Sequence, residues 1–204
     1  MLSEILATDK YWTNDLFPEE VFREFVTAYS QPYRSYHNLK HIQQVLDIVN
    51  EMRSLGNNLV AIQLAAWFHD VIYDPQAKDN EEKSAAYART TLTRINVSQE
   101  TIEKVEKMIL MTKQHQDLSG DIDMQIFLDA DLSILGSSPL EYQAYARAIR
   151  QEYAWVSEKE YRLKRKQVLE NFLSRERIYS TDYLFKKLEM RSRENIQAEI
   201  KFLS

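Results

Sequence analysis

The sequence predicts an all-α fold, a single bundle of about eight to ten helices. Glycine accounts for only 3 of the 204 residues and proline for 4, whereas glycine alone usually contributes about 7%. Because tight turns and hairpins depend on these two residue types, their scarcity argues against a β fold. The apolar residues also recur mostly at intervals of three and four, which is the period of a helix face.

The sequence of the N-terminal part predicts three helices. Pro18 opens a segment over residues 18–29, and a second helix follows over 38–53 with its apolar residues on one face. A turn at 56–58 precedes residues 59–73, which are apolar nearly all round and therefore predict the central, buried helix. Pro75 ends this helix because the residue before a proline disfavours helical geometry.

The sequence of the middle of the chain predicts three more helices. Residues 80–94 and 98–114 each begin beside a residue that can cap a helix N-terminus, and 121–135 form the next helix. After a turn at 136–138, Ser138 can cap a helix with Pro139 at its first position. From Pro139 onward the chain is long, charged and helical.

The chain is long enough for one sizeable domain and short of an obvious two. We expect one domain over residues 1–204, with a core of about 34–136 that carries the functional site and C-terminal helices 139–204 packed on it. No low-complexity linker and no internal repeat interrupts the sequence.

Composition excludes several classes of protein. The net charge of −5 argues against binding to a nucleic-acid duplex, which favours a basic face. No apolar run approaches the ~20 residues that span a bilayer, so we expect no membrane partner. The start, MLSEILATDKYW, lacks the pattern of a secretory signal, and the absence of cysteine fits a reducing compartment. These features predict a cytoplasmic protein, in which any metal is held by imidazole and oxygen.

The pair His69-Asp70 lies inside a strongly apolar stretch, LVAIQLAAWFHDVIYD. Burying an ionised carboxylate costs roughly several kcal/mol unless a partner compensates it. A divalent metal ion would suit both side chains. Adjacent residues of an ideal helix do not face each other, so one ion can bind both only if it lies between their two directions.

Two further histidines, His37 and His41, occur four residues apart in YHNLKHI. They share a helix face if the helix begins early enough, but Asn38 can act as its N-cap, which would leave His37 outside. His41 lies at the rim of the apolar face and is the better candidate for a metal ligand, with His37 as an additional one. A structural role for either imidazole is the alternative.

The segment FLDADLSILG contributes two carboxylates. Asp129 and Asp131 are about 200° apart on a helix, so both cannot point inward. Asp131 falls in the middle of the apolar face and is the predicted ligand, whereas Asp129 is an additional candidate. A buried salt bridge to a lysine or arginine is the alternative explanation of Asp131.

Four more residues are candidates for a supporting role. His115 ends the helix predicted from residue 98, where a favourable interaction with the helix dipole is the alternative. Asn80, Glu81 and Glu82 follow the His-Asp pair by a few residues, where ordinary capping of a helix start is the alternative.

This ordered set resembles the HD superfamily of metal-dependent phosphohydrolases. The resemblance lies in His41, in the adjacent His69 and Asp70 after an apolar run, and in the distal Asp131. The flanking text, PYRSYHNLKHI, AAWFHDVIYD, DNEEKSA and LDADLSILG, resembles a small bacterial branch described as predicted HD phosphohydrolases, and that likeness extends into RQEYAWV and LENFLSRERIY.

The resemblance implies an HD-type helical fold and hydrolysis of a small, nucleotide-like phosphorylated substrate by metal-activated water. It implies that Asp70 both ligates the ion and orients the water, with Glu81 or Glu82 as acid or base. The imidazole and carboxylate ligands favour Mn, Fe, Co, Ni or Zn over Mg. Arg34 is the first candidate to bind the phosphate, followed by Arg150 and Lys113; surface or structural roles are the alternatives.

The chain also departs from relatives of this kind. Binuclear members carry a histidine where this chain has Asn80, so we expect one divalent ion. The HD nucleotidases carry an acidic residue at the position of Tyr73, and Asp74 follows it here. Two other functions remain open: a non-catalytic module that binds a metal or a nucleotide, and a di-iron HD-type oxygenase.

Overall fold

The computed structural model describes residues 16–116 and 119–204. Within these ranges the chain forms nine α-helices and one 3₁₀ helix, with no β-strand. This confirms the predicted all-α fold. The segment MLSEILATDKYW, on which the expectation of no secretory signal depends, lies outside the described residues. The helices are α1 (Glu19–Tyr29), α2 (Leu39–Glu51), α3 (Leu59–Phe68), α4 (Asn80–Arg94), α5 (Gln99–Met111), α6 (Ile122–Asp131), the 3₁₀ helix (Leu132–Gly136), α7 (Pro139–Glu152), α8 (Glu158–Ser174) and α9 (Asp182–Leu203).

Helix α3 is the central helix, as its apolar sequence predicts. Seven of its residues from Ala61 to Phe68 are buried, and it packs against α2, α4, α5 and α6. Burial of most of its surface explains why its sequence has no broad polar face, although Val60 near its start is 50% exposed.

The start of α2 also follows the sequence. The Asn38 side chain accepts hydrogen bonds from the backbone N–H groups of Lys40 and His41, which satisfies donors that have no partner within the helix. His37 therefore lies outside the helix, and His41 lies in its first turn.

The prediction that the central helix continues to Tyr73 is wrong, because α3 ends at Phe68. Side chains from elsewhere take the carbonyl oxygens that a longer helix would use. The Tyr29 hydroxyl donates to the carbonyl of Trp67 over 2.7 Å. Arg34 donates to the carbonyls of Asp70 and Val71, over 2.7 and 3.0 Å. His69 and Asp70 therefore lie at the C-terminal end of α3.

Two other helix ends differ from the prediction. Helix α5 ends at Met111, and the single helix expected over 121–135 divides into α6 and the 3₁₀ helix. Asn195 on α9 donates to the carbonyls of Leu135 and Ser137, over 2.9 and 3.0 Å. The last carbonyls of this segment are thus satisfied by α9 instead of by a continuing α-helix.

The C-terminal helices pack on the rest of the chain. Ser138 caps α7 in a reciprocal capping box with Glu141, and Pro139 is the first helical residue, as predicted. Helix α9 packs along the 3₁₀ helix and α8. The buried apolar residues form one cluster from Phe17 to Leu203. Among the described helices, none combines the length and apolar character needed to cross a membrane.

Candidate metal site

Two buried histidines face each other at the centre of the molecule. The Nε2 atoms of His41 and His69 are 3.1 Å apart, and the two residues are only 3% and 2% exposed. His41 comes from the first turn of α2, and His69 is the C-cap of α3. The packing of α2 against α3 thus brings the two imidazoles together.

Two carboxylates contact this pair of imidazoles. Asp70 Oδ2 lies 3.1 Å from His69 Nε2 and 3.7 Å from His41 Nε2. Asp131 Oδ1, at the end of α6, lies 3.2 Å from His41 Nε2 and 3.6 Å from His69 Nε2. Ligand atoms of His41, His69 and Asp131 all lie within 4.8 Å of one another, so these three residues could hold a metal ion. We call His41, His69, Asp70 and Asp131 the histidine–aspartate cluster.

The position of His69 explains how adjacent residues reach one point. On a continuous helix His69 and Asp70 would diverge. After α3 ends at Phe68, the chain continues in a turn closed by a hydrogen bond from Val71 N–H to the Phe68 carbonyl, and the Asp70 carboxylate lies 3.1 Å from His69 Nε2.

The hydrogen bond on the far side of His69 fixes its tautomer. His69 Nδ1 lies 2.9 Å from the carbonyl oxygen of Ala66. A carbonyl oxygen only accepts, so Nδ1 carries the hydrogen, and in the neutral ring the lone pair lies on Nε2, towards His41. Metal-binding histidines usually have their second nitrogen held in this way.

The donor set fits a first-row divalent cation. Metal–nitrogen bonds of about 2.0–2.1 Å place neighbouring ligand atoms roughly 3 Å apart when they subtend a right angle. The separation of 3.1 Å between the two Nε2 atoms matches that spacing. The alternative of a salt bridge from Asp131 to lysine or arginine finds no support, since its recorded partners are His41, His69 and His115.

Burial and the neighbouring charges shift the pKa values of the cluster in opposite directions. Burial raises the pKa of Asp131, but the charge of His69 and hydrogen bonds from His115 and His41 bring this pKa well below its usual range. Burial lowers the pKa of His69, but the charges of Asp70 and Asp131 raise it well above its usual value. Burial leaves the pKa of His41 lowered. Buried, ionised carboxylates need a positively charged partner, which is either a protonated imidazole or a cation held between the imidazoles.

His115 joins the cluster from the side. Its Nε2 lies 2.8 Å from Asp131 Oδ2, the oxygen opposite the one that faces His41. His115 adopts a left-handed backbone conformation, with φ of 46°. Arg175 holds this turn by donating to the carbonyls of His115 and Gln114, over 2.6 and 2.9 Å.

His37 is bound to a carboxylate that sequence reasoning missed. Its Nδ1 lies 2.6 Å from Glu152 Oε2. Glu152 is buried and also accepts hydrogen bonds from the backbone of Tyr36 and His37 and from the Tyr73 hydroxyl. Glu152 is the last residue of α7, a helix that also carries Glu141, Arg147 and Arg150, so nothing in the sequence distinguishes it.

Two of the additional candidates have other partners. The Asp129 carboxylate accepts hydrogen bonds from the backbone of Ser180 and Thr181 and from the Thr181 hydroxyl. It therefore holds the turn before α9, on the side away from Asp131. The Asn80 amide exchanges hydrogen bonds with the backbone of Asp74, so it closes the loop before α4.

The predicted acid–base residues lie in a partly exposed group of charges. Lys113 donates to the Glu82 carboxylate and to the carbonyl of Lys78, and lies 3.9 Å from the Glu81 carboxylate. The Glu82 and Lys113 side chains are 50% and 43% exposed. The structure brings these three residues to one another rather than to the cluster.

The two predicted phosphate-binding arginines are also engaged. Arg34 is buried, and in addition to the carbonyls of Asp70 and Val71 it donates to His37 O and Gln31. Arg150 donates to Glu158 and to the carbonyls of Tyr153 and Val156. Both therefore brace the backbone, which was the structural alternative for each.

Comparison of the chain with protein-family models, with curated proteins and with solved structures found no match.

Proposed function

We propose that this protein is a metal-dependent phosphohydrolase of the HD type, with one divalent ion held by His41, His69, Asp70 and Asp131. One observation carries the proposal: two imidazole Nε2 atoms 3.1 Å apart, each near the carboxylates of Asp70 and Asp131. The order and helical setting of these residues resemble that superfamily.

The ligands define the chemistry of the proposal. A bound divalent ion supplies a hydroxide source near neutral pH and polarises a phosphoryl oxygen. The side chain of Asp70 is 19% exposed, the most of the four, so it is the residue that would orient the attacking water as well as hold the ion. The mixed imidazole and carboxylate set favours Mn, Fe, Co, Ni or Zn over Mg.

The test compares Asp70→Asn with Asp74→Asn. Asp74 is a nearby exposed carboxylate whose Oδ1 accepts a hydrogen bond from the Gln76 backbone, so its variant controls for loss of charge. After chelation and reloading with Mn²⁺, we expect about one ion per chain and hydrolysis of small phosphoesters in the wild type and in Asp74→Asn. Asp70→Asn should lose most of both.

Two outcomes count against the proposal separately. If the wild type and Asp70→Asn contain equal, substoichiometric amounts of metal, the proposed metal site is rejected. If the protein binds stoichiometric metal but hydrolyses no nucleotide or sugar phosphate, the metal site is retained and the hydrolase is rejected. That result favours the non-catalytic module.

A further inference from the structure

A cleft reaches two residues of the histidine–aspartate cluster from the side of the C-terminal helices. It has a volume of about 330 Å³ and lies between α2, the 3₁₀ helix, the start of α7 and α9. His41 and Asp131 are among its lining residues. The cleft is at the small end of the range for ligand pockets, about 300–1,000 Å³.

The walls of the cleft are partly apolar. Val45 and Ile48 contribute from α2, Ile134 from the 3₁₀ helix and Leu188 from α9. These side chains offer a surface for an uncharged, partly apolar group.

Outside the cluster, the charged lining residues are Asp47, Glu141 and Arg191. Asp47 accepts a hydrogen bond from Gln43, and Glu141 accepts hydrogen bonds from the Ser138 backbone and hydroxyl. The lining of this part of the cleft therefore carries two carboxylates and one guanidinium.

Arg191 differs from the cations that the sequence suggested. Arg34, Lys113 and Arg150 donate to carbonyls or carboxylates within the protein. Arg191 is exposed, and the structure records no hydrogen bond and no ion pair between it and any described residue. The pKa of Glu141 is lowered by the Ser138 hydrogen bonds, then by the positive charge of Lys40, and least by that of Arg191. The guanidinium donors of Arg191 are thus available to a ligand.

We propose that Arg191 binds the phosphate of the substrate in this cleft, and that the substrate carries a single phosphate group on an uncharged, partly apolar body. This inference rests on the proposed function and narrows its substrate class. The forked guanidinium suits a phosphate, and the apolar walls suit the body. A polyphosphate would bring additional negative charges towards Asp47 and Glu141.

The experiment uses Mn²⁺-loaded full-length protein and two ligands with the same body, adenosine 5′-monophosphate and adenosine 5′-triphosphate. Affinity is measured by calorimetry with inorganic phosphate and by KM for each nucleotide. Arg191→Ala is compared with Arg147→Ala, which removes an exposed arginine of α7 that does not line the cleft. We expect Arg191→Ala to weaken phosphate and monophosphate binding roughly 10- to 100-fold, with unchanged metal content, and Arg147→Ala to match the wild type.

The Asp47→Asn variant tests the charge argument. Removal of one carboxylate should improve binding of the triphosphate several-fold and change binding of the monophosphate less. The ratio of the two affinities should therefore move closer to one. A wild type that prefers the triphosphate would overturn the inference about substrate class.

The inference and the proposed function fail in different ways. Hydrolysis of phosphomonoesters that is equal in the wild type and in Arg191→Ala overturns the role of Arg191 and leaves the hydrolase. Phosphate binding that depends on Arg191 without any turnover supports the ligand class and rejects the hydrolase. No binding and no turnover in the metal-loaded wild type overturns both.

Discussion

Arg34 shows how one side chain shapes the site without belonging to it. The sequence suggested that this residue binds substrate, whereas its guanidinium lies over the rings of Tyr29 and Tyr73. It donates to the carbonyls of Asp70 and Val71. The residues after His69 would otherwise carry buried carbonyls without partners, and these are costly. Arg34 therefore fixes the turn that directs Asp70 towards the imidazoles.

Replacement of Arg34 should damage both folding and the metal site. We expect Arg34→Ala to lower the free energy of unfolding by about 3 kcal/mol, because several charge-assisted hydrogen bonds to carbonyls are lost, and to weaken Mn²⁺ binding. Arg34→Lys should recover only part of this, since an ammonium cannot fork between two carbonyls. Urea denaturation and metal titration measure the two effects. The exposed Arg53→Ala should remain within about 0.5 kcal/mol, and the same loss in both alanine variants would contradict the argument.

At the scale of helices, sequence patterns predicted where helices begin better than where they end. The caps at Asn38, Ser98 and Ser138 act through residues two or three positions away, so a short stretch of sequence contains the whole signal. The end of α3 depends on Arg34, which is distant from it in sequence, and the end of the 3₁₀ helix depends on Asn195 of α9. No local pattern reports such distant donors.

One carboxylate connects three helices. Asp123, in the first turn of α6, accepts hydrogen bonds from the backbone N–H groups of Asn57 and Asn58, just before α3, and from Lys104 on α5. Burial raises the pKa of Asp123, but these donors lower it by more, to a net value below the usual range. The start of the central helix is thus held by an ionised group.

The contribution of Asp123 to stability should therefore be lost in acidic solution below pH 4. Because its pKa in the folded state lies below the unfolded value of about 3.9, its contribution is complete above that pH and is lost as pH falls through the folded-state pKa. We expect Asp123→Asn to be less stable than the wild type by about 1–3 kcal/mol at pH 7, with the difference shrinking below pH 4. Denaturation curves across this range, with Asp74→Asn as control, measure it; a difference that does not change with pH would refute the assignment.

For the whole molecule, the proposed ligands lie in the first 131 residues, whereas two of the groups that support the site come from the residues beyond. Glu152 holds His37, and Arg175 holds the turn of His115. The sequence predicted the four cluster residues because polar groups stand out in apolar segments. It did not predict Glu152, Arg175 or Arg191, which occur among many other charged residues of the C-terminal helices. Only the packing of these helices onto the core selects them.

The contribution of the residues that support the site should be measurable as a change in metal affinity. We expect His115→Ala to lower metal affinity roughly tenfold, because it removes the hydrogen bond to the proposed ligand Asp131. Arg175→Ala should act in the same direction, since it releases the turn that positions His115. Competition titration with a chelating dye measures both affinities. Arg162→Ala, on α8 and paired with Glu158, is the control, and wild-type affinity in both test variants would show that the C-terminal helices do not support the site.

Gly136 has a consequence for how this protein can diversify. A Cβ at this position would lie 2.6 Å from the Cβ of Leu188 and 2.9 Å from the Ser192 hydroxyl, and Leu188 also lines the cleft. Enlarging the residue at 136 would therefore move α9 and cost folding energy. Evolution or design that seeks a new ligand preference has to work on the opposite wall, at Gln44, Asp47 and Ile48, whose side chains are not fully buried.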